Sequence, residues 1–126
     1  MIELKLRDVV GSYEGLGNLM KAKLPIKAAY HLKRLVQKIE PDMKSYADSR
    51  KSLVEQYGKP EVNEKDEPIG MFKFEPESAK QFEKDHDELL DTDIKIDLDA
   101  LPISALGESA EVAAEDLLAC DKFFKE

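Results

Sequence analysis

The stretch that decides the fold is IKAAYHLKRLVQKIEPDMKSYADSRKSLVEQY, residues 26–57. Ala28, Leu32, Leu35, Ile39, Met43, Tyr46, Arg50, Leu53 and Tyr57 recur at steps of three and four, and only Arg50 among them is polar. That period places them on one face of an α-helix. Pro25 stands at its start, where no backbone donor is needed, and Gly58 followed by Pro60 is a stop signal. The spacing therefore predicts one helix over 26–57, about 48 Å long at 1.5 Å per residue. Pro41 lies in its middle and removes a hydrogen bond while crowding the carbonyl of Gln37. Because the apolar register runs on through Ile39, Met43 and Tyr46, the expectation is a bent helix rather than two helices joined by a loop.

Working outward, IELKL at residues 2–6 alternates as a short strand that can feed a helix. Leu6, Val9, Val10, Tyr13, Leu16 and Met20 then follow at helical spacing. Gly11, Gly15 and Gly17 weaken this helix by about 1 kcal/mol each relative to alanine, and close packing against another helix is their expected reason. No Gly-Lys pair completes a phosphate loop here. Downstream, residues 59–74 read as a β-hairpin or as a single strand after a loop: NEKDEP is a polar turn, and IGMFKF alternates with Phe72 and Phe74 on one side. Pro76 opens a helix over 76–90 with Ala79, Phe82, Leu89 and Leu90 on its apolar face. DIKIDLD alternates strictly, with Ile94, Ile96 and Leu98 on one face and Asp93, Lys95, Asp97 and Asp99 on the other. A final helix is expected from about residue 109, capped by Ser109, with Ala113, Leu117, Cys120 and Phe124 in its stripe.

These elements predict an α+β, predominantly helical fold in a single domain spanning residues 1–126. The long bent helix would pack with shorter helices, and residues 69–74, 93–98 and 2–6 would form a small sheet. The expected core is Leu32, Leu35, Ile39, Tyr46, Leu53, Phe72, Phe74, Phe82, Leu89, Ile94, Ile96, Leu117 and Phe124.

The acid-rich segment HDELLDTDIKIDLDA, residues 86–100, invites a metal or acid/base reading. Its spacing refuses one. An EF-hand loop requires D-x-[DN]-x-[DN]-G, yet Lys95 and Ile96 occupy the third ligand and glycine positions. A zinc helix H-E-x-x-H needs a second histidine where Leu90 stands. The acids are instead the wet face of a strand, and His86 joins the apolar face of the preceding helix as a hydrogen-bonded edge residue. Cys120 reads as a small core residue with no activating neighbour in sequence. No catalytic residue, metal ligand or cofactor is assigned, and the chain is read as a non-enzyme.

Hydrophobic residues are 42% and charged residues 37% of the 126, as in a soluble globular protein. A lone cysteine excludes an internal disulfide, and the N-terminus lacks the apolar stretch of a signal peptide; both suit the cytoplasm, with no membrane association expected. The net charge of −8 is unevenly spread. Residues 1–58 hold 11 Lys and Arg against 7 Asp and Glu, whereas residues 59–126 hold 8 against 20. The total opposes binding to nucleic acid. A helix this long in so small a chain has more apolar stripe than its own chain covers, which predicts a homo-oligomer, a dimer first of all. Arg50, alone among the apolar stripe, is either a small-anion ligand or the buried partner of Glu75, Asp85 or Asp91. Lys27, Arg34 and Tyr46 complete the candidate interaction residues.

In their order along the chain, KLPIKAAYHLKRLVQKIE, SYADSRKSLVEQYGKP, FKFEPESAKQFEKDHDELLDTDIKIDLDALPISAL and LLACDKFF resemble a family of small uncharacterised proteins encoded by tailed phages and prophages. Leu24-Pro25, Tyr46, Arg50, Tyr57-Gly58 and ELLDTDIKID carry the resemblance over roughly residues 20–124. Pro41 departs from the uninterrupted helix the family leads one to expect. The resemblance implies a viral context, hence a host-cell cytoplasm, and brings no catalytic residues. The expected role is an interaction protein that self-associates and binds or modulates a host or phage protein, such as a host-defence factor. The alternatives are an assembly or scaffolding accessory of the phage particle and a small-anion or nucleotide-binding oligomer.

Overall fold

A computed structural model describes residues 1–107 and 111–126. Its elements are β1 (Ile2–Lys5), α1 (Leu6–Lys21), α2 (Ile26–Tyr57), β2 (Lys59–Val62), β3 (Pro68–Lys73), α3 (Pro76–Leu90), β4 (Asp93–Ile96), β5 (Leu101–Pro102), α4 (Ala114–Ala119) and β6 (Phe124–Lys125). Short 3-10 turns span Ile103–Leu106 and Asp121–Phe123. The fold is α+β and predominantly helical. The chain gathers into two compact units: Met1–Met43 with Thr92–Glu126, and Lys44–Asp91. α2 runs through Pro41 without a loop and contributes to both.

The first unit is built on α1 and the first half of α2. The apolar period of α1 buries Leu6, Val9, Leu16 and Leu19, and that of α2 buries Ala28, Leu32, Leu35 and Ile39. At roughly 1.5–3 kcal/mol for each large aliphatic side chain removed from water, these stripes are the main stabilising term of the unit. Asp8 fixes where α1 begins, because its Oδ2 accepts the backbone N–H of Lys5 at 2.9 Å. Pro25 precedes α2, and its carbonyl accepts the N–H of Ala29 at 3.0 Å. Of the three α1 glycines, only Gly15 has a packing reason. A β-carbon there would stand 3.1 Å from Cys120 Sγ and 3.3 Å from the carbonyl of Asp116, so α4 lies directly against it. At Gly11 and Gly17 it would meet nothing within 4 Å.

The sheet is organised differently from the expectation. Residues 68–73 do not pair with residues 93–96. β4 instead pairs antiparallel with β1, setting Ile2 opposite Ile96 and Leu4 opposite Ile94, with Glu3 opposite Lys95 and Lys5 opposite Asp93. Apolar pairs thus fill one face and opposite charges the other, which fixes the register. β3 pairs with β2, which the polar turn leaves only a few residues away. Closing so short a loop costs less conformational entropy than recruiting a distant strand. Asn63 organises that turn, its Oδ1 accepting the N–H groups of Lys65 and Glu67 at 2.8 and 3.0 Å.

The expected C-terminal helix is also corrected. Ser109 lies outside the described residues, and α4 covers only Ala114–Ala119. Phe124 belongs to β6, parallel to β5, with Leu101 opposite it. Phe123 and Phe124 are both buried, at 1% and 9% exposure. The backbone turns through the 3-10 segment before Phe124, so the two side chains enter the core from different backbone geometries. Cys120 is fully buried here, as its place among apolar residues predicts.

The second unit comprises the second half of α2, the β2–β3 hairpin and α3, which occupies the expected residues from Pro76 onward. None of its residues is buried. Tyr46, Leu53, Phe72, Phe82 and Leu89, expected in the core, are half-buried, and Phe74 is exposed. Ile94 and Leu117 of the first unit are half-buried as well. Forty-eight residues arranged as two helical segments and a two-stranded hairpin enclose too little volume to shut water out completely.

Candidate functional site

The polar side chains of the second unit converge between α2 and α3. Tyr46 and Tyr57 are eleven residues apart, close to three helical turns, so they share one face of α2. α3 presents Asp85 and His86 between them. The Tyr46 hydroxyl and His86 Nε2 are 2.8 Å apart, and the Tyr57 hydroxyl donates to Asp85 Oδ2 at 2.5 Å. Spacing along α3 completes the set. Gln81, four residues before Asp85, donates from Nε2 to its Oδ1 at 2.9 Å. Phe82, four residues before His86, stacks on the imidazole with ring centroids 5.6 Å apart and planes at 11°. Phe74 from the hairpin follows, 5.1 Å from Phe82.

The chemistry of this cluster is that of a positioned network. Both oxygens of Asp85 already accept hydrogen bonds, which leaves little capacity for a general base. Donation to Asp85 raises the pKa of the Tyr57 hydroxyl above its ordinary value, with partial burial acting in the same sense. A phenolate catalyst needs the opposite shift. Cys120, in the other unit, is likewise raised, to about 11, by burial and then by the carboxylates of Asp116 and Asp121. Its thiol is the inert form, not the nucleophilic thiolate. Among the described residues no group of three or more His, Cys, Asp or Glu side chains is gathered to hold a metal ion.

The four residues singled out by sequence fall in both units. Lys27 and Arg34 belong to the first unit and Tyr46 and Arg50 to the second. Lys27, Arg34 and Arg50 are exposed and, among the described residues, none has a side-chain hydrogen bond or ion pair. The expectation that Arg50 is the buried partner of Glu75, Asp85 or Asp91 is therefore corrected. It stands in water, where a guanidinium needs no ion partner, and Asp85 is engaged by Tyr57. Tyr46 is half-buried and bonded to His86, which makes it a part of the network first. Asp93, from the acid-rich segment, pairs with Lys5 Nζ at 2.7 Å, and that contact lowers its pKa.

Sequence reasoning missed two features. The pairing of Tyr57 with Asp85 was available from the eleven-residue spacing of the tyrosines and the adjacency of Asp85 to His86. The second is the outer surface of the hairpin. Ile69 and Met71 are 49% and 60% exposed. The alternation that sets Phe72 and Phe74 toward one side sets Ile69 and Met71 toward the other.

Comparisons with protein-family models, curated proteins and solved structures find no match. Among the described residues no helix is long and apolar enough to cross a membrane.

Proposed function

We propose that this chain is a non-enzymatic interaction protein of phage or prophage type, which self-associates as a dimer and binds or modulates a host or phage protein in the host cytoplasm. One observation carries the reading. The second unit buries no residue, yet it keeps two large apolar side chains, Ile69 and Met71, about half exposed or more on one side of its hairpin. Apolar surface gathered in one place on a small unit marks a contact face. The polar cluster of Tyr46, Tyr57, Asp85 and His86 supports the same reading, because its groups satisfy one another. The viral context follows from the sequence resemblance.

Light scattering coupled to size exclusion, over a hundredfold range of concentration, tests the reading. A mass of about twice the 14.3 kDa chain is expected at the upper end, falling with dilution. A single-chain mass throughout overturns it. Affinity capture from infected cells then identifies the other protein.

A further inference from the structure

Resting on that proposal of self-association, we infer that the dimer forms by two β2–β3 hairpins meeting across a two-fold axis through Gly70. Segment 65–75 reads KDEPIGMFKFE. A two-fold axis brings residue 70+n of one copy to residue 70−n of the other, and each such contact occurs twice. Under that operation Ile69 meets Met71 of the second copy, and Glu67 meets its Lys73. The alternate residues on the outer side of the strand are thus self-complementary about the glycine in both hydropathy and charge.

Three further observations bear on this axis. Ile69 and Met71, which flank the glycine, are 49% and 60% exposed. Gly70 has φ +80 and nothing within 4 Å of where a β-carbon would stand. A bare glycine in a strand is where a second backbone can approach closely. Finally, Lys73 stands opposite Lys59 in the hairpin, a like-charge cross-strand pair that is unfavourable within one chain. Glu75 reaches Lys59 Nζ at 3.9 Å, whereas Lys73 has no ion pair among the described residues. A second copy supplies it with Glu67. Lys59, Pro60 and Lys73 along the hairpin guard its edges against strand addition, so the contact is between outer surfaces rather than strand to strand.

The test is a charge exchange on the whole chain, read by light scattering and sedimentation. Glu67→Lys alone puts two lysines against each other at the axis, and Lys73→Glu alone puts two glutamates there. Each is expected to weaken self-association by about tenfold or more, since every substitution turns two attractive contacts into repulsive ones. An equimolar mixture of the two single variants regains opposite charges at both contacts and is expected to form a heterodimer as tight as the parent. The variant carrying both exchanges is expected to recover the parent's homodimer. Circular dichroism shows whether each single variant folds; if one does not, the doubly exchanged chain still decides. A parent dimer that the single exchanges leave intact, or that neither the mixture nor the double exchange restores, overturns the hairpin axis while leaving self-association standing. A monomeric parent overturns both.

Discussion

Replacing each glycine of α1 with alanine separates a glycine required by packing from two that are not. All three sit inside the helix, where alanine is favoured by about 1 kcal/mol through lower unfolded-chain entropy and better propensity. At Gly11 and Gly17 the added methyl meets nothing within 4 Å, so that gain is realised. At Gly15 it would press on Cys120 Sγ at 3.1 Å and the Asp116 carbonyl at 3.3 Å. Neither neighbour yields easily: Cys120 is fully buried, and the Asp116 carbonyl is backbone that accepts the Cys120 N–H at 3.1 Å. Overpacking costs about 1–3 kcal/mol, which outweighs the propensity gain and leaves a net loss of about 1 kcal/mol. For a chain of this size, 1 kcal/mol corresponds to roughly 3–6 °C in Tm. Calorimetry on Gly11→Ala, Gly15→Ala and Gly17→Ala should give a rise, a fall and a rise. A rise of equal size at all three positions would refute the close approach of α4 to α1, and with it the placement of the C-terminal segment.

Other perturbations follow from single contacts. Tyr46→Phe should cost about 1 kcal/mol by leaving His86 without its hydroxyl partner, read by urea unfolding. Pro41→Ala restores a donor and relieves a clash inside α2, and should raise stability by about 1–3 kcal/mol, with slower amide exchange at residues 38–44. The Cys120 thiol should react with an aromatic disulfide reagent only after unfolding. Its folded pKa of about 11 exceeds the ordinary thiol value, so the unfolded chain loses that proton first. Stability is therefore full below about pH 9 and falls toward pH 11, by about 3 kcal/mol, a slope that Cys120→Ala should flatten. Asp93 has the opposite sign. Lys5 lowers its folded pKa, so its contribution is present above the ordinary carboxylate range and declines as the pH drops through the folded value. Lys5→Met should remove that acid dependence in a pH series of unfolding curves.

The helices were legible because their information is local. Step-three and step-four recurrence in α1, α2 and α3 needs only a dozen neighbouring residues, and Pro76 and Gly58 mark ends through their own backbone chemistry. Strand partnership is not local in this sense. The polar turn NEKDEP offered a hairpin for IGMFKF, but nothing in DIKI says that it would leave IGMFKF and cross the chain to IELK. The decisive feature was relational: Glu3 and Lys5 match Lys95 and Asp93 only in the register that also pairs Leu4 with Ile94. The C-terminal segment misled because Leu117, Cys120 and Phe124 fit a helical period, although the chain there turns through a 3-10 segment into β6. At the candidate site, His86 was legible as an edge residue from its apolar face. Arg50 was not, because periodicity places a residue on a face without saying whether anything covers that face.

The same distinction changes the meaning of the charge asymmetry. Along the sequence the first half is basic and the second strongly acidic, which invites a basic surface for a polyanion or an acidic one that imitates it. Folding does not preserve that division. β1 from the basic half lies beside β4 from the acidic half, and Lys5 is paired with Asp93. Counted by compact unit, Met1–Met43 with Thr92–Glu126 carries 11 Lys and Arg against 14 Asp and Glu, and Lys44–Asp91 carries 8 against 13. Both units are acidic, so neither offers the excess of positive charge that a nucleic-acid backbone demands. What survives folding is short-range order of sign, as in Glu67 and Lys73 on either side of Gly70. Such order gives little long-range attraction, but it discriminates between registers once apolar side chains have met. In the proposed dimer, that order would select one orientation of the second copy's hairpin over its alternatives.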